Sequence, residues 1–183
     1  MMEREIKLRV DNAEVARAAV AAAGATPLRG RRLQEDCLLD TDDELLRRQR
    51  SVLRIRMEAG KSLLTFKGPV QPSSMKLREE LETVVGDGTL LLCLFEALGF
   101  HVWFRYEKYR QEFTHENVIV AIDETPVGVF VEIEGCEAGI TTMARALGRR
   151  PSDYIVDSYR TLFLKHKDEA GLDGTDMVFG RPE

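Results

Sequence analysis

Cysteine is scarce and scattered in this chain. Cys37, Cys93 and Cys136 are the three among 183 residues, an odd number without a C-x-x-C pair, which argues against a disulfide framework or a thiolate zinc site. His101, His115 and His166 are equally dispersed, so neither a histidine-metal site nor a Cys-His catalytic pair is expected. Long hydrophobic runs are missing too. None exceeds Leu90 to Phe95, far short of the roughly 20 apolar residues a membrane-crossing helix needs. The N-terminal segment is acidic and patterned as a strand, unlike a signal peptide, so a cytoplasmic location and no membrane partner are expected. There is no G-x-x-x-x-G-K-[ST] segment and no strand-linked G-x-G-x-x-G, which leaves a P-loop or dinucleotide turn unsupported. The net charge of −5 makes nucleic acid an unexpected partner, and any anion site must be a local basic cluster. Oligomeric state leaves no mark in the sequence.

What is present is charge in strict alternation. Glu3, Glu5 and Lys7 alternate with Ile6, Leu8 and Val10 on the opposite parity, and in a strand that period separates a charged face from an apolar one. The pattern recurs at Arg54 and Arg56, at Lys76, Arg78, Glu80 and Glu82, at Tyr106, Lys108, Arg110 and Glu112, and at Glu132 and Glu134. A solvated sheet face is one explanation for any single strand. Across five strands it weakens, because a surface would use Ser, Thr, Gln and Asn freely, whereas these positions are almost all Lys, Arg or Glu. If the sheet closes into a barrel, the charged face is its lumen. Burying dry ions costs several kcal/mol each, so such a lumen has to be wet, internally paired, or filled by a charged ligand with its cation.

Composition, 44% hydrophobic and 31% charged, suits one globular domain. Strands are expected near 2–10, 33–40, 51–58, 61–67, 75–85, 102–113, 116–124 and 127–134. Asp11 with Glu14 forms a D-x-x-E capping pattern ahead of an alanine-rich helix that stops at Gly24. A second helix begins at Asp87, with Leu91, Leu94, Phe95 and Leu98 as a stripe expected to cover the sheet's outer face. Further helices are expected at 137–147 and 152–167. The domain is placed at 1–170, with a mobile tail at 171–183. Trp103, between apolar neighbours, is expected to pack in the core.

Lys and Arg suit phosphate oxygens, while clustered glutamates without His or Cys favour hard cations such as Mg²⁺ or Mn²⁺. The inward parities hold nine basic positions, Lys7, Arg9, Arg54, Arg56, Lys67, Lys76, Arg78, Lys108 and Arg110, against six glutamates, Glu3, Glu5, Glu80, Glu82, Glu132 and Glu134. A triphosphate would balance the excess. Arg9 and Lys76 suit a rim equally well.

These residues resemble the CYTH domain superfamily, the triphosphate tunnel metalloenzymes. The resemblance spans residues 2 to about 165. It rests on E-x-E-x-K at Glu3 to Lys7, Leu53-Arg54-Ile55-Arg56, Leu64-Thr65-Phe66-Lys67-Gly68-Pro69, Arg78-Glu79-Glu80-Leu81-Glu82, Lys108-x-Arg110, Asp123, Gly128-x-Phe130-x-Glu132-Ile133-Glu134 and Ser158-Tyr159. It implies an α+β fold, an eight-stranded antiparallel β-barrel forming a triphosphate tunnel with helices packed outside. By the same resemblance, Glu3, Glu5, Glu132 and Glu134, with Asp123 as a weaker candidate, would hold Mg²⁺ or Mn²⁺. Lys7, Arg54, Arg56, Lys67, Lys108 and Arg110 would grip the triphosphate, joined by Arg78 on the parity of Glu80 and Glu82. Those two glutamates would orient or deprotonate an attacking water. The chain departs from the family where relatives carry a tyrosine after Gln-x-Asp, because Cys37 follows Gln34-Glu35-Asp36 here.

Three functions follow as expectations. The first is divalent-metal-dependent hydrolysis of an inorganic, thiamine or nucleoside triphosphate, favoured because hydrolysis needs no base-recognition pocket. The second is a class IV adenylyl cyclase, in which the ribose 3′-hydroxyl of ATP attacks the α-phosphorus. The third is a non-catalytic polyphosphate or nucleotide binder, less favoured because both E-x-E pairs are kept.

Overall fold

The structure is a computed structural model and describes residues 1–171 and 173–180. Among these, eight strands form one closed antiparallel barrel: β1 (Met2–Val10), β2 (Thr26–Thr41), β3 (Val52–Glu58), β4 (Lys61–Lys67), β5 (Lys76–Val85), β6 (Phe100–His115), β7 (Val118–Thr125) and β8 (Gly128–Gly135). The order around the barrel is β1-β5-β4-β3-β2-β6-β7-β8, closed by β8 against β1. The registers set Arg56 opposite Asp36, Lys67 opposite Glu80 and Lys7 opposite Glu132, so the alternating charges of neighbouring strands meet inside.

Their apolar partners point out. Ile6, Leu8, Val120, Ile122, Val131 and Ile133 are buried beneath α1 (Ala13–Ala22) and α4 (Glu137–Ala146) in one core cluster, each burial stabilising the fold by roughly 1.5–3 kcal/mol. The cap of α1 falls one residue later than the expected Asp11, on Asn12, whose side chain accepts from the Val15 N–H. At the end of β8, Gly135 has φ +149°, and a Cβ there would lie 2.4 Å from the Asn117 carbonyl oxygen. Only glycine lets that turn approach so closely.

Several expectations are corrected. Strand β2 begins at Thr26 rather than 33, since the Pro27–Arg32 stretch, lacking alternation, still pairs with β6 through register shifts that absorb its irregular residues. A short α2 (Leu45–Arg48) follows β2. On α3 (Gly88–Ala97), Leu91 and Phe95 are half-buried, but Leu94 and Leu98 of the expected packing stripe are exposed. The single helix expected at 152–167 divides into a 3-10 turn at Pro151–Asp153, an extended link in which Ile155 bridges to Lys7, and α5 (Tyr159–Ala170), capped by Ser158.

Within the expected tail, Leu172 and residues 181–183 lie outside the described residues. Residues 176–179 run along β6. Met177 is fully buried, its N–H donates to the Arg105 carbonyl, and its own carbonyl accepts from the Glu107 N–H. The described helices include none long and apolar enough to cross a membrane.

Candidate functional site

Alternation on a closed barrel turns side chains of one parity into the lining of a single space. That space is a cavity of about 1070 Å³ running through the barrel. Glu3, Glu5, Lys7, Arg54, Arg56, Lys67, Arg78, Glu80, Glu82, Lys108, Arg110, Glu132 and Glu134 all line it. Of the expected site residues, Asp123 alone does not.

The cations and acids are interleaved. Lys7 Nζ sits 2.8 Å from Glu5 and 3.1 Å from Glu132; Lys76 Nζ is 2.6 Å from Glu5; Lys67 Nζ is 2.7 Å from Glu3 and 3.0 Å from Glu80. Lys76 is therefore buried rather than at the rim. Arg9 is exposed, with its guanidinium 4.9 Å from the Phe130 ring centroid, and falls outside the lumen. Arg56 donates from Nε to Asp36 Oδ1 at 2.9 Å, and Arg54 lies 3.4 Å from the same oxygen. Glu82 is partly exposed, accepting from Thr65 Oγ1 at 2.8 Å and facing Arg54 at 3.5 Å.

Asp123 is fully buried and saturated. It accepts from Arg110 Nε at 2.7 Å, Arg110 Nη2 at 2.6 Å, Lys108 Nζ at 2.9 Å and the Tyr159 hydroxyl at 2.6 Å. With both oxygens spent on these donors, it anchors cations, and its expected place among metal ligands gains nothing from the geometry.

Electrostatics divides the lumen into regions. Burial and Glu132 push the Glu5 carboxyl up, but Lys7, Lys76 and Lys67 outweigh them and hold it well below the ordinary value. Burial beside Glu3, Glu132 and Glu5 pushes Glu134 up to about 7, and among the described residues Glu134 makes no ion pair. Burial also lowers Lys108 to about 8, helped by Arg110 and opposed by Asp123 and Glu132. Acid crowds toward Glu134; positive charge crowds toward Lys108 and Arg110.

Among the described residues, no three His, Cys, Asp or Glu side chains form a ready-made metal cluster. Glu3, Glu5 and Glu132 are each engaged by lysine or arginine. The donor set nevertheless fits a hard divalent cation: it is all carboxylate oxygen, and the crowding that raises Glu134 is the repulsion a bound cation relieves.

Other lining residues escaped the sequence reading. Gln34 and Glu58 are buried and line the cavity, and buried Asp36 pairs with Arg56 and Arg54; extending the alternation through 34 and 36 on β2 and on to 58 on β3 finds all three. Tyr106, on the inward parity of Lys108 and Arg110, and Tyr159, of the Ser158-Tyr159 pair, also line the cavity, although the sequence assigned neither a role there. Trp103, expected in the core, is only partly buried: it packs against the Phe104 cluster and also lines the cavity, with Arg47 and Arg160 guanidiniums 4.6 and 4.7 Å from its ring centroid. Cys37 is buried, as packing requires.

A family model described as the CYTH domain matches residues 1–154. A curated protein of Methanocaldococcus jannaschii, provisionally named an adenylate cyclase, is 30% identical over 135 residues, covering 73% of this chain and 77% of its own. Among solved structures, a Pyrococcus horikoshii protein is 28% identical with a TM-score of 0.74, covering 87% of this chain and 98% of that one. A plant protein from Hippeastrum, provisionally an adenylyl cyclase and described as having a dominant triphosphatase activity, is 20% identical with a TM-score of 0.67, covering 89% and 95% of the two chains.

Proposed function

The chain belongs to the CYTH domain family, and from that premise we propose that it is a divalent-metal-dependent triphosphatase whose substrate lies in the charged lumen. The observation that carries this reading is the convergence of Lys7, Arg54, Arg56, Lys67, Arg78, Lys108 and Arg110 with four crowded glutamates in one cavity. The cations would cradle the phosphate oxygens, since guanidinium and ammonium donors gain most against anionic oxygen in a site sheltered from water. Glu134, with Glu3, Glu5 and Glu132 beside it, would hold Mg²⁺ or Mn²⁺. A metal bound there supplies charge neutralisation at the phosphate oxygens.

Hydrolysis requires a water oxygen to bond the terminal phosphorus while the bond from that phosphorus to the bridging oxygen breaks, leaving orthophosphate and the shortened phosphate chain. Glu80 and Glu82, which line the cavity, would orient the water and take its proton. Burial raises Glu80, but the Lys67 ammonium 3.0 Å away, with Arg54 beyond it, outweighs that and holds the carboxyl below its ordinary value. Arg54 and Lys67, beside these glutamates, would stabilise the charge of the departing oxygen.

Cyclisation of ATP is the second reading, favoured by the name of the Methanocaldococcus relative. Incubation with Mg²⁺ or Mn²⁺ and either inorganic tripolyphosphate or ATP, with products resolved, separates the two. Orthophosphate release from either substrate is the expected result. Cyclic AMP and pyrophosphate as the dominant products from ATP, with tripolyphosphate untouched, would favour the cyclase and overturn hydrolysis.

A further inference from the structure

Tyr159 opens α5, beyond the residues the family model matches, and has no part in the reaction described above. It is buried with its hydroxyl 2.6 Å from Asp123 Oδ2, the oxygen that also accepts from Lys108 and Arg110. Its ring centroid lies 5.1 Å from Lys7 Nζ and 4.8 Å from Lys108 Nζ. Phe130 meets the ring edge-on at 5.7 Å, and Tyr106 packs beside it at 6.3 Å, which fixes its orientation.

Two physical effects follow. The hydroxyl is a neutral donor: it occupies an acceptor site on Asp123 without adding positive charge, so the carboxylate has less capacity left to draw Lys108 and Arg110 onto itself. The ring face attracts both ammoniums through its quadrupole yet carries no counter-charge that would neutralise them. Both effects help order Lys7 and Lys108 beside the lumen, where Glu5, Glu132 and Asp123 also hold them.

We propose that Tyr159 is a positioning residue for triphosphate binding, keeping Lys7, Lys108 and Arg110 oriented toward the lumen through its ring and its bond to Asp123. The inference rests on the triphosphate reading of the lumen. It assigns separate parts to ring and hydroxyl, which substitution can separate.

The test is calorimetric titration of inorganic tripolyphosphate into wild-type protein and the Tyr159→Phe and Tyr159→Leu variants, with thermal melts of each. Losing one hydrogen bond to a charged group should weaken binding by about threefold to tenfold in Tyr159→Phe, with the melting temperature within a few degrees of wild type. Losing the ring as well should weaken it by about thirtyfold or more in Tyr159→Leu. In steady-state assays the Phe variant should raise KM more than it lowers kcat. Wild-type affinity in a folded Tyr159→Phe protein, or a KM unchanged while kcat falls, would overturn the proposal. So would affinity losses that merely track loss of fold. Absence of binding by the wild-type protein would contradict the triphosphate reading as well; normal wild-type binding with unaffected variants contradicts the role of Tyr159 alone.

Discussion

At the scale of single residues, the lumen is a set of buried ions held by counter-ions, with Glu134 the one glutamate among the proposed ligands that makes no ion pair within the described residues. Removing one partner leaves the other buried and unpaired, which is costly, so charge-preserving or isosteric changes are the informative ones. The acids near Glu134 and the bases near Arg54 are assigned different tasks, and the assignment is testable. Glu132→Gln together with Glu134→Gln should raise the Mg²⁺ or Mn²⁺ concentration needed for half-maximal activity by about tenfold or more, whereas Arg54→Ala should mainly raise KM. Metal titrations of activity for each variant provide the check, and an unchanged metal requirement in the double variant would remove the proposed ligands. Asp123 illustrates how far sequence reaches. Its charge was legible, but its place outside the cavity lining, amid donors of β6 and α5, was not, because no local pattern encodes those neighbours.

At the scale of elements, period-2 alternation carried most of the information. It gave the inward parity of β1, β3, β5, β6 and β8, because a closed barrel makes every residue choose between a charged interior and an apolar exterior. It failed where alternation stops, at Pro27–Arg32 of β2, and where a segment is held by edge pairing rather than by an apolar face. Residues 176–179 are such a segment: Met177 is their only fully buried side chain, and backbone bonds to β6 do the rest. The α3 stripe misled for another reason. That helix is apolar on nearly every side, so spacing alone does not say which leucines face the barrel.

The turn after β2 shows an element held by one carboxylate. Asp40 is fully buried and accepts from the N–H groups of Thr41 and Leu46 at 2.9 Å each and Arg47 at 3.1 Å, capping the first turn of α2 from outside it. Burial alone would raise its pKa, but these N–H donors and the Arg47 side chain hold it below the ordinary aspartate value. A depressed carboxyl contributes stability that is fully present above the unfolded value, roughly pH 4, and is lost as pH falls through the lower folded value. Asp40→Ala should therefore cost about 2 kcal/mol near neutrality, with the gap from wild type closing in acid. Denaturant melts across that range measure it, and a pH-independent gap would contradict the assignment.

At the scale of the whole molecule, closure is what converts a sequence pattern into a site. An open sheet with the same strands would place its charges in water, where salt screens them and surface pairs contribute little. Closing β8 on β1 gathers them in one sheltered space in which acids and bases are close enough to share a ligand. The covering helices stabilise the outer face and leave the lumen accessible. The central claim is that this space holds a triphosphate with its divalent cation. Its most direct test is a crystal structure of the protein grown with Mn²⁺ and a non-hydrolysable triphosphate analogue, with manganese located by anomalous scattering. Phosphate density is expected among Arg54, Arg56, Lys67, Lys108 and Arg110, and a manganese peak against Glu134 and its neighbouring glutamates. An empty lumen at saturating ligand, or phosphate and manganese bound only on the outer surface, would contradict it.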